Sequence, residues 1–428
     1  MLSMDFFLGG RWVSSKDKIE VLYPYTNEPV ALVSKASVDD AKEAIEIAFE
    51  AKEEVAKLTA FERYEILSRT ASLLKSRADD FARTLVLEVG KTIKEARTEV
   101  ARAIQTLTFS AEEAKRINGE VFPIDAHPNG RGKFGFYYKE PAGIVVAITP
   151  FNFPLNLSLH KLAPAFAAGN PVILKPSERT PLTPLMLAEL FLEAGLPSRA
   201  LSVLPGDADL GKALTESDLV RVVSFTGSKK VGQMISRQVG IKRLVLELGS
   251  NSALIVHKDA NLQKALKSAI LGAYSIAGQV CISIQRLLIH EEIFDEFLNM
   301  LQSKVSELRL GDPMSESTDV GPVIALSERD RILSWIKEAS SEGAKVLKGG
   351  HAEGCVISPT IITDVPETSP LMCEEAFAPL VVTIPYKDPD EAIRIVNSSS
   401  YGLQAGVFTN DLSLAWHFIK NLKCGGVL

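Results

Sequence analysis

Residues 143–157 read GIVVAITPFNFPLNL. The first half is an unbroken apolar run rich in Val and Ile, which argues a strand buried on both faces. Pro150, Asn152 and Pro154 then force a turn before a helical period begins. Four more such runs follow, and each gap is long enough for one helix: PVILK from Pro171, LSVLPG from Leu201, VRVVSFTG around Arg221 and RLVLELG from Arg243. Strands alternating with helices predict an α/β fold with a doubly wound, Rossmann-like parallel sheet, whose ligands bind outside the carboxyl ends of the strands. A second such domain starts near Gly249, with SALIVH, a helix from Ala260, RLLIH ending at His290 and another helix from Ile293.

Upstream, from Ser37 to about Gly119, the chain reads as helices. Ser37 and Asp40 form a capping-box pattern, and Ala44, Ile47, Ala48 and Ala51 recur at helical spacing. GEVFPIDAHPNGRGKFGFYYKEPAG then reads as a small two-stranded β excursion, with Asn129-Gly130 as its hairpin turn. A chain of 428 residues is too long for one core, and 46% hydrophobic with 23% charged residues is ordinary for a globular enzyme. The net charge of −6 leaves no basic footprint for nucleic acid. Four cysteines, Cys281, Cys355, Cys373 and Cys424, show no metal-ligand spacing and predict free thiols in a reducing compartment. MLSMDFFLGGRWV lacks a signal-peptide pattern, and no run reaches the ~20 apolar residues of a membrane span. A cytoplasmic protein with no metal and no membrane partner is expected.

Residues able to carry chemistry gather at the strand ends. FTGSKKVG places Gly227 and Gly232 around a helix start whose free N–H groups suit a pyrophosphate, although an ordinary βα turn uses glycine in the same way. Lys175 and Glu178, in LKPSERTP, face the crevice, where an acidic group accepts from ribose hydroxyls; a solvated charge pair reads alike. Glu247 ends an apolar strand, where desolvation would suit it to general-base work and where a helix N-terminus could equally be its partner. Asn152 could aim its amide at a developing oxyanion or simply form the turn. Cys281, in AGQVCISIQR (277–286), lies where a helix runs into a strand, and taken alone it reads as a packing thiol.

Together these stretches resemble the aldehyde dehydrogenase superfamily. The matches are PFNFP (150–154), LKPSE (174–178), FTGS (225–228), ELG (247–249), GQVC (278–281), EEAFAP (374–379) and YGL (401–403), in the family's order over essentially the whole chain. The resemblance implies two doubly wound domains and oxidation of an aldehyde to its acid with NAD, toward which Glu178 leans, or NADP. It assigns Cys281 as nucleophile, Glu247 as general base for thioester hydrolysis, and Asn152 with the Cys281 backbone N–H as the oxyanion hole. Lys175 and Glu178 would hold the adenosine ribose, Ser228 the pyrophosphate, and Glu375 and Phe377 the nicotinamide ribose and ring. Thr149, Pro150, Phe151, Phe225, Gly227, Leu248 and Gly249 are further cofactor-binding positions. Residues 1–119 and 141–248 would form the NAD(P)-binding domain and 249–428 the catalytic domain. Residues 120–140 would be the oligomerisation hairpin of a homodimer or homotetramer.

Ser250 stands where the family usually has a second glycine, which predicts a tuned site. The family pattern also continues several dozen residues past CGGVL, with a glycine-rich active-site loop and a strand that pairs across the subunit interface, so a longer chain is expected. Asn156 and His160, four apart on one helix, are polar where members acting on apolar aldehydes are apolar. They point to a small hydroxylated or anionic aldehyde such as lactaldehyde, glyceraldehyde or a semialdehyde. Arg102 and Arg286 are possible anion partners, or otherwise solvated surface charges. A CoA-acylating member and a catalytically silent nucleotide-binding member are the alternatives. Glu247 argues against the first, and the joint presence of Cys281, Glu247 and Asn152 against the second.

Overall fold

In the computed structural model, which describes residues 2–428, all five apolar runs are strands: β1 (Ile144–Ile148), β2 (Val172–Lys175), β3 (Leu201–Val203), β4 (Val220–Gly227) and β5 (Arg243–Leu248). They pair in parallel in the order β5-β4-β1-β2-β3, and Phe6–Leu8 and Arg11–Val13 extend the sheet antiparallel beyond β3. The chain works outward from β1 to β3, then returns to the other side of β1 for β4. Ile148 lies opposite Phe225 in that pair, so the loops after β1 and β4 diverge and open a crevice at the switch point.

Helices Val38–Ala56, Ala60–Ser76, Ala78–Val89 and α1 (Ile93–Ala114) precede the sheet. Ser37, Thr59 and Thr92 each cap a helix in a capping box, the first with Asp40 as expected. α1 packs along α2 (Asn156–Ala167), the helix that follows β1, over a core that includes Phe81, Leu107, Leu159 and Leu174. α3 (Lys229–Gln238) connects β4 to β5.

Two local expectations are corrected. β5 is not buried on both faces: it has one neighbour, its side chains alternate between exposed and half-buried, and Glu247 is exposed. An edge strand is covered from one side only, which leaves the alternate side chains of β5 open to solvent. The excursion is two-stranded, Glu120–Phe122 against Gly135–Tyr137, but Asn129-Gly130 is not its hairpin turn. Both residues sit in the 3₁₀ turn Pro128–Gly130, which Pro128 opens and His127 caps through Nδ1. The excursion leaves Val121, Phe134, Phe136 and Tyr138 exposed.

The second sheet holds β6 (Ser252–Val256), β7 (Ile284–His290), β8 (Leu380–Tyr386) and β9 (Gln404–Phe408). Its order is Lys345–Lys348, Thr360–Thr363, β8, β7, β6, β9, Gly426–Val427, parallel except for the first strand. α4 (Leu262–Tyr274) joins β6 to the segment that leads into β7. Among the described residues no helix is long and apolar enough to cross a membrane.

Leu174 on β2 is fully buried, and Leu174→Ala is expected to cost about 2–5 kcal/mol, against about 1 kcal/mol for the cap deletion Ser37→Ala. Thermal midpoints of the two variants, side by side, check the order.

Candidate active site

The segment between α4 and β7 is locally strained. Ile276 (φ 51°, ψ 38°), Ala277 (φ 52°, ψ 40°) and Gly278 (φ 70°) are all left-handed, which costs free energy at the two non-glycine positions. A Cβ on Gly278 would lie 2.0 Å from the Ala378 carbonyl oxygen. Surrounding contacts hold the strain in place. Glu95 Oε1, from the first turn of α1, accepts the Ile276 N–H at 2.7 Å. The buried Gln279 amide donates to Ile276 O (3.0 Å) and accepts from Ile324 N–H (2.9 Å). Two residues on, Cys281 is half-buried, whereas Cys355 is buried and Cys373 donates to Glu367 O. Burial, then the negative charge of Glu375 and Glu247, pushes the Cys281 thiol above its ordinary range.

Asn152, in the loop after β1, is buried, and its Nδ2 donates to Gln279 O at 2.8 Å. An amide NH₂ carries two hydrogens, so one remains for a group held beside Cys281. Asn152 Oδ1 and, nearby in sequence, Thr149 Oγ1 are buried without partners. A buried orphan hydroxyl at the switch point fits a ligand that supplies its hydrogen bond. On α2, Lys161 is buried with Nζ on Ser224 Oγ (3.0 Å). Burial pushes its pKa down to about 8, with the Glu247 charge opposing. Lys161 is not among the motif residues, although a lysine inside the apolar period LHKLAPAF is a visible signal in the sequence.

Beyond Cys281, buried Gln285 donates to Leu371 O and Glu374 O and accepts from Ala376 N–H, which places the EEAFAP loop. Within that loop, Glu375 Oε1 accepts the Ser250 N–H at 3.1 Å. A Cβ on Gly249 would meet Glu375 Oε2 at 2.2 Å, so only glycine admits this approach. Burial lifts Glu375 to about 7, against the Ser250 N–H and Arg331. Phe377 packs edge-on against Phe151, ring centres 5.7 Å apart. The Ser250 hydroxyl is buried 2.9 Å from Ser252 Oγ.

At the far end of the crevice, burial depresses Lys175, while Glu178 and Asp207 act the other way and Lys35 adds to the depression. Asp207 itself pairs with Lys35 at 2.7 Å. Ser228 caps α3, and Gly232 lets that helix approach β5, since a Cβ there would lie 2.4 Å from Leu248 Cδ2. A nucleotide along this edge would meet the uncapped N–H groups of α3, the orphan Thr149 and the Glu375 carboxylate.

The sequence model of the aldehyde dehydrogenase family matches residues 12–428. The chain belongs to the aldehyde dehydrogenase family. It is 47% identical over 423 residues to 3-sulfolactaldehyde dehydrogenase of Priestia megaterium, covering 99% of this chain and 88% of that protein. Aldehyde dehydrogenase 21 of Physcomitrella patens, solved with the reaction product succinate, superposes with a TM-score of 0.97 at 38% identity, over 100% of this chain and 89% of that one. Glyceraldehyde-3-phosphate dehydrogenase of Methanocaldococcus jannaschii, solved with NADP, gives 0.93 at 38% identity, over 97% and 90%. This aldehyde dehydrogenase is an oxidoreductase that uses NAD or NADP.

A cavity of about 720 Å³ is lined by Val280 and Ile282, the two chain neighbours of Cys281, and by Phe153 and Arg102. Arg102 is exposed, lies over the Phe153 ring and has no ion-pair partner among the described residues. His160 is also exposed; loss of hydration, then the Arg102 charge, lowers its pKa. Asn156 does not stand free beside it, since it is buried with Oδ1 accepting from Thr106 Oγ1. Arg286 is corrected outright. It is buried, its guanidinium donates to the carbonyls of Asn251, Ile395 and Val396, and it has no reach to a substrate anion. Arginine's five donors suit it to bracing a loop as well as to binding a ligand.

With Glu375 ionised above pH 7, the Cys281 thiolate forms against a like charge. In the cofactor-free enzyme, the rate of iodoacetamide modification at Cys281, followed by peptide mass spectrometry, should rise with a midpoint above that of a free cysteine. Glu375→Gln should lower that midpoint. A midpoint unmoved by the substitution would show that the two groups do not interact.

Proposed function

We propose that this aldehyde dehydrogenase oxidises a small aldehyde bearing an anionic group to the corresponding acid and releases the product by hydrolysis. The observation that carries the reading is Arg102, a guanidinium with no ion-pair partner among the described residues, on the wall of the cavity lined by the two chain neighbours of Cys281. The names of the three relatives run the same way, since a sulfonate, succinate and a phosphate ester are all anions. His160 shares the neighbourhood of Arg102 and supplies a second polar contact.

The Cys281 thiolate adds to the carbonyl carbon, and the C=O electron pair moves to oxygen. The second hydrogen of the Asn152 amide and the backbone N–H of Cys281 donate to that oxyanion. NAD(P)⁺, when bound, supplies the hydride acceptor that turns the thiohemiacetal into a thioester. Glu247 takes a proton from water as its oxygen attacks the thioester carbon; the C–S bond breaks, and Cys281 leaves as thiolate. The exposure of Glu247 on the edge strand gives it access to that water, and Lys161 lies close enough for the two charges to interact. Residues 1–119 and 141–248 serve the nucleotide and 249–428 the covalent chemistry, in a cytoplasmic enzyme. The apolar outer face of residues 120–140 joins subunits into a homo-oligomer.

Arg102→Ala should lower kcat/KM about 10- to 100-fold for an aldehyde carrying a carboxylate, sulfonate or phosphate, the worth of one charged hydrogen bond. The same substitution should leave lactaldehyde, which is neutral, nearly unchanged. Steady-state NAD(P)H formation with both substrate classes decides it, and equal losses on both would refute the anion-site assignment. Phe134→Ser/Phe136→Ser should shift sedimentation velocity toward smaller species, because those rings are exposed on the free chain.

A further inference from the structure

Lys91 and Glu99 are fully buried and 2.5 Å apart, one just before α1 and the other within it. Burying two opposite charges is unfavourable compared with burying an apolar pair, so a pair of this kind calls for a reason beyond stability. Their remaining contacts supply one. Lys91 Nζ donates to the backbone carbonyl of Asn152 at 2.7 Å and lies 4.2 Å from the centre of the Phe153 ring. Glu99 Oε1 accepts the backbone N–H groups of Leu155 (3.1 Å) and Asn156 (3.0 Å), where α2 begins. Among the described residues, every hydrogen bond the two side chains make outside their own pair goes to residues 152–156.

That short segment carries the amide assigned to the oxyanion. Leu155 precedes α2 in helical geometry with no side-chain cap, so the Glu99 carboxylate does what a capping side chain would do. One turn earlier on α1, Glu95 holds Ile276 N–H on the nucleophile loop. The first two turns of α1 thus grip both loops that meet at Cys281.

We propose that Lys91 and Glu99 are positioning residues: they clamp the backbone of residues 152–156 so that the Asn152 amide is aimed at the oxyanion formed on the Cys281 adduct. The inference rests on the oxyanion role given to Asn152 above. Neither side chain touches the reacting atoms; both act through Asn152. A buried ion pair suits this task, because directed hydrogen bonds to one carbonyl and two N–H groups fix a backbone in a way that apolar packing does not.

The test is a double-mutant cycle. Lys91→Met/Glu99→Gln removes the donor to Asn152 O, leaves no buried charge and keeps a carbonyl for Leu155 and Asn156. It should lower the rate of the NAD(P)H burst and kcat about 10- to 100-fold, the scale of a misplaced catalytic group, with KM and NAD(P) affinity by fluorescence titration nearly unchanged. In an Asn152→Ala background the same double change should alter kcat by no more than about twofold, because its effect runs through the missing amide. A double variant at the wild-type rate, or one whose loss multiplies fully onto that of Asn152→Ala, overturns the positioning role alone. Asn152→Ala at the wild-type rate overturns the oxyanion role and the positioning role together. If the double variant does not fold, Lys91→Ala, which removes the donor to Asn152 O and leaves Glu99 on Leu155 and Asn156, carries the same cycle under the same criteria.

Discussion

A hydrogen bond of 2.8 Å, from Asn152 Nδ2 to Gln279 O, ties the loop after β1 to the loop that presents Cys281. The two residues are 127 apart in the chain and belong to segments leading from different sheets. The shape of each loop in the folded chain therefore depends on contacts from both sheets and from α1. Once they are, the contacts reinforce one another: Gln279 pins Ile276 and Ile324, Glu95 pins Ile276, and Lys91 and Glu99 pin residues 152–156. Directional hydrogen bonds at buried positions make this arrangement stiff, because a buried polar group left without a partner is costly.

That stiffness has work to do. Two non-glycine residues in left-handed geometry, a thiol pushed up by burial and by two carboxylates, and a lysine depressed to about 8 lie within one small region. Each is unfavourable by itself and persists only because its surroundings over-determine it. Departures from local preference are thus concentrated around one cysteine, the pattern expected of a functional site. The rest of the chain, with capping boxes at three early helices and strands of Val, Ile and Leu at the centre of each sheet, follows local rules closely.

Several sequence readings missed for one shared reason. RLVLELG looks like the other buried runs, yet β5 is an edge strand and Glu247 is exposed. Arg286 looks like a surface charge and is buried under three carbonyl acceptors. Lys91 and Glu99, which no pattern in the sequence singles out, are sealed from water. Periodicity reports how a segment distributes its apolar side chains; it does not report which segment ends a sheet or which loop folds over a given charge. Asn129-Gly130 is different, a local signal overridden by another local signal, the proline that opens the 3₁₀ turn.

The sequence by itself determined the α/β class, the five parallel strands around the switch point and the family, and it named a set of candidate site residues. Those follow from runs of a few residues, whose propensities and spacing are set by covalent geometry and by the burial of apolar surface. Only the tertiary structure decided which charges are paired, which are buried and which stand free. It gave Arg286 to the backbone, left Arg102 open to the cavity, exposed Glu247 and bonded the start of α1 to both the loop after β1 and the loop that carries Cys281. Burial and electrostatic pairing depend on what the folded chain brings alongside from a hundred residues away, and no short stretch of sequence contains that information.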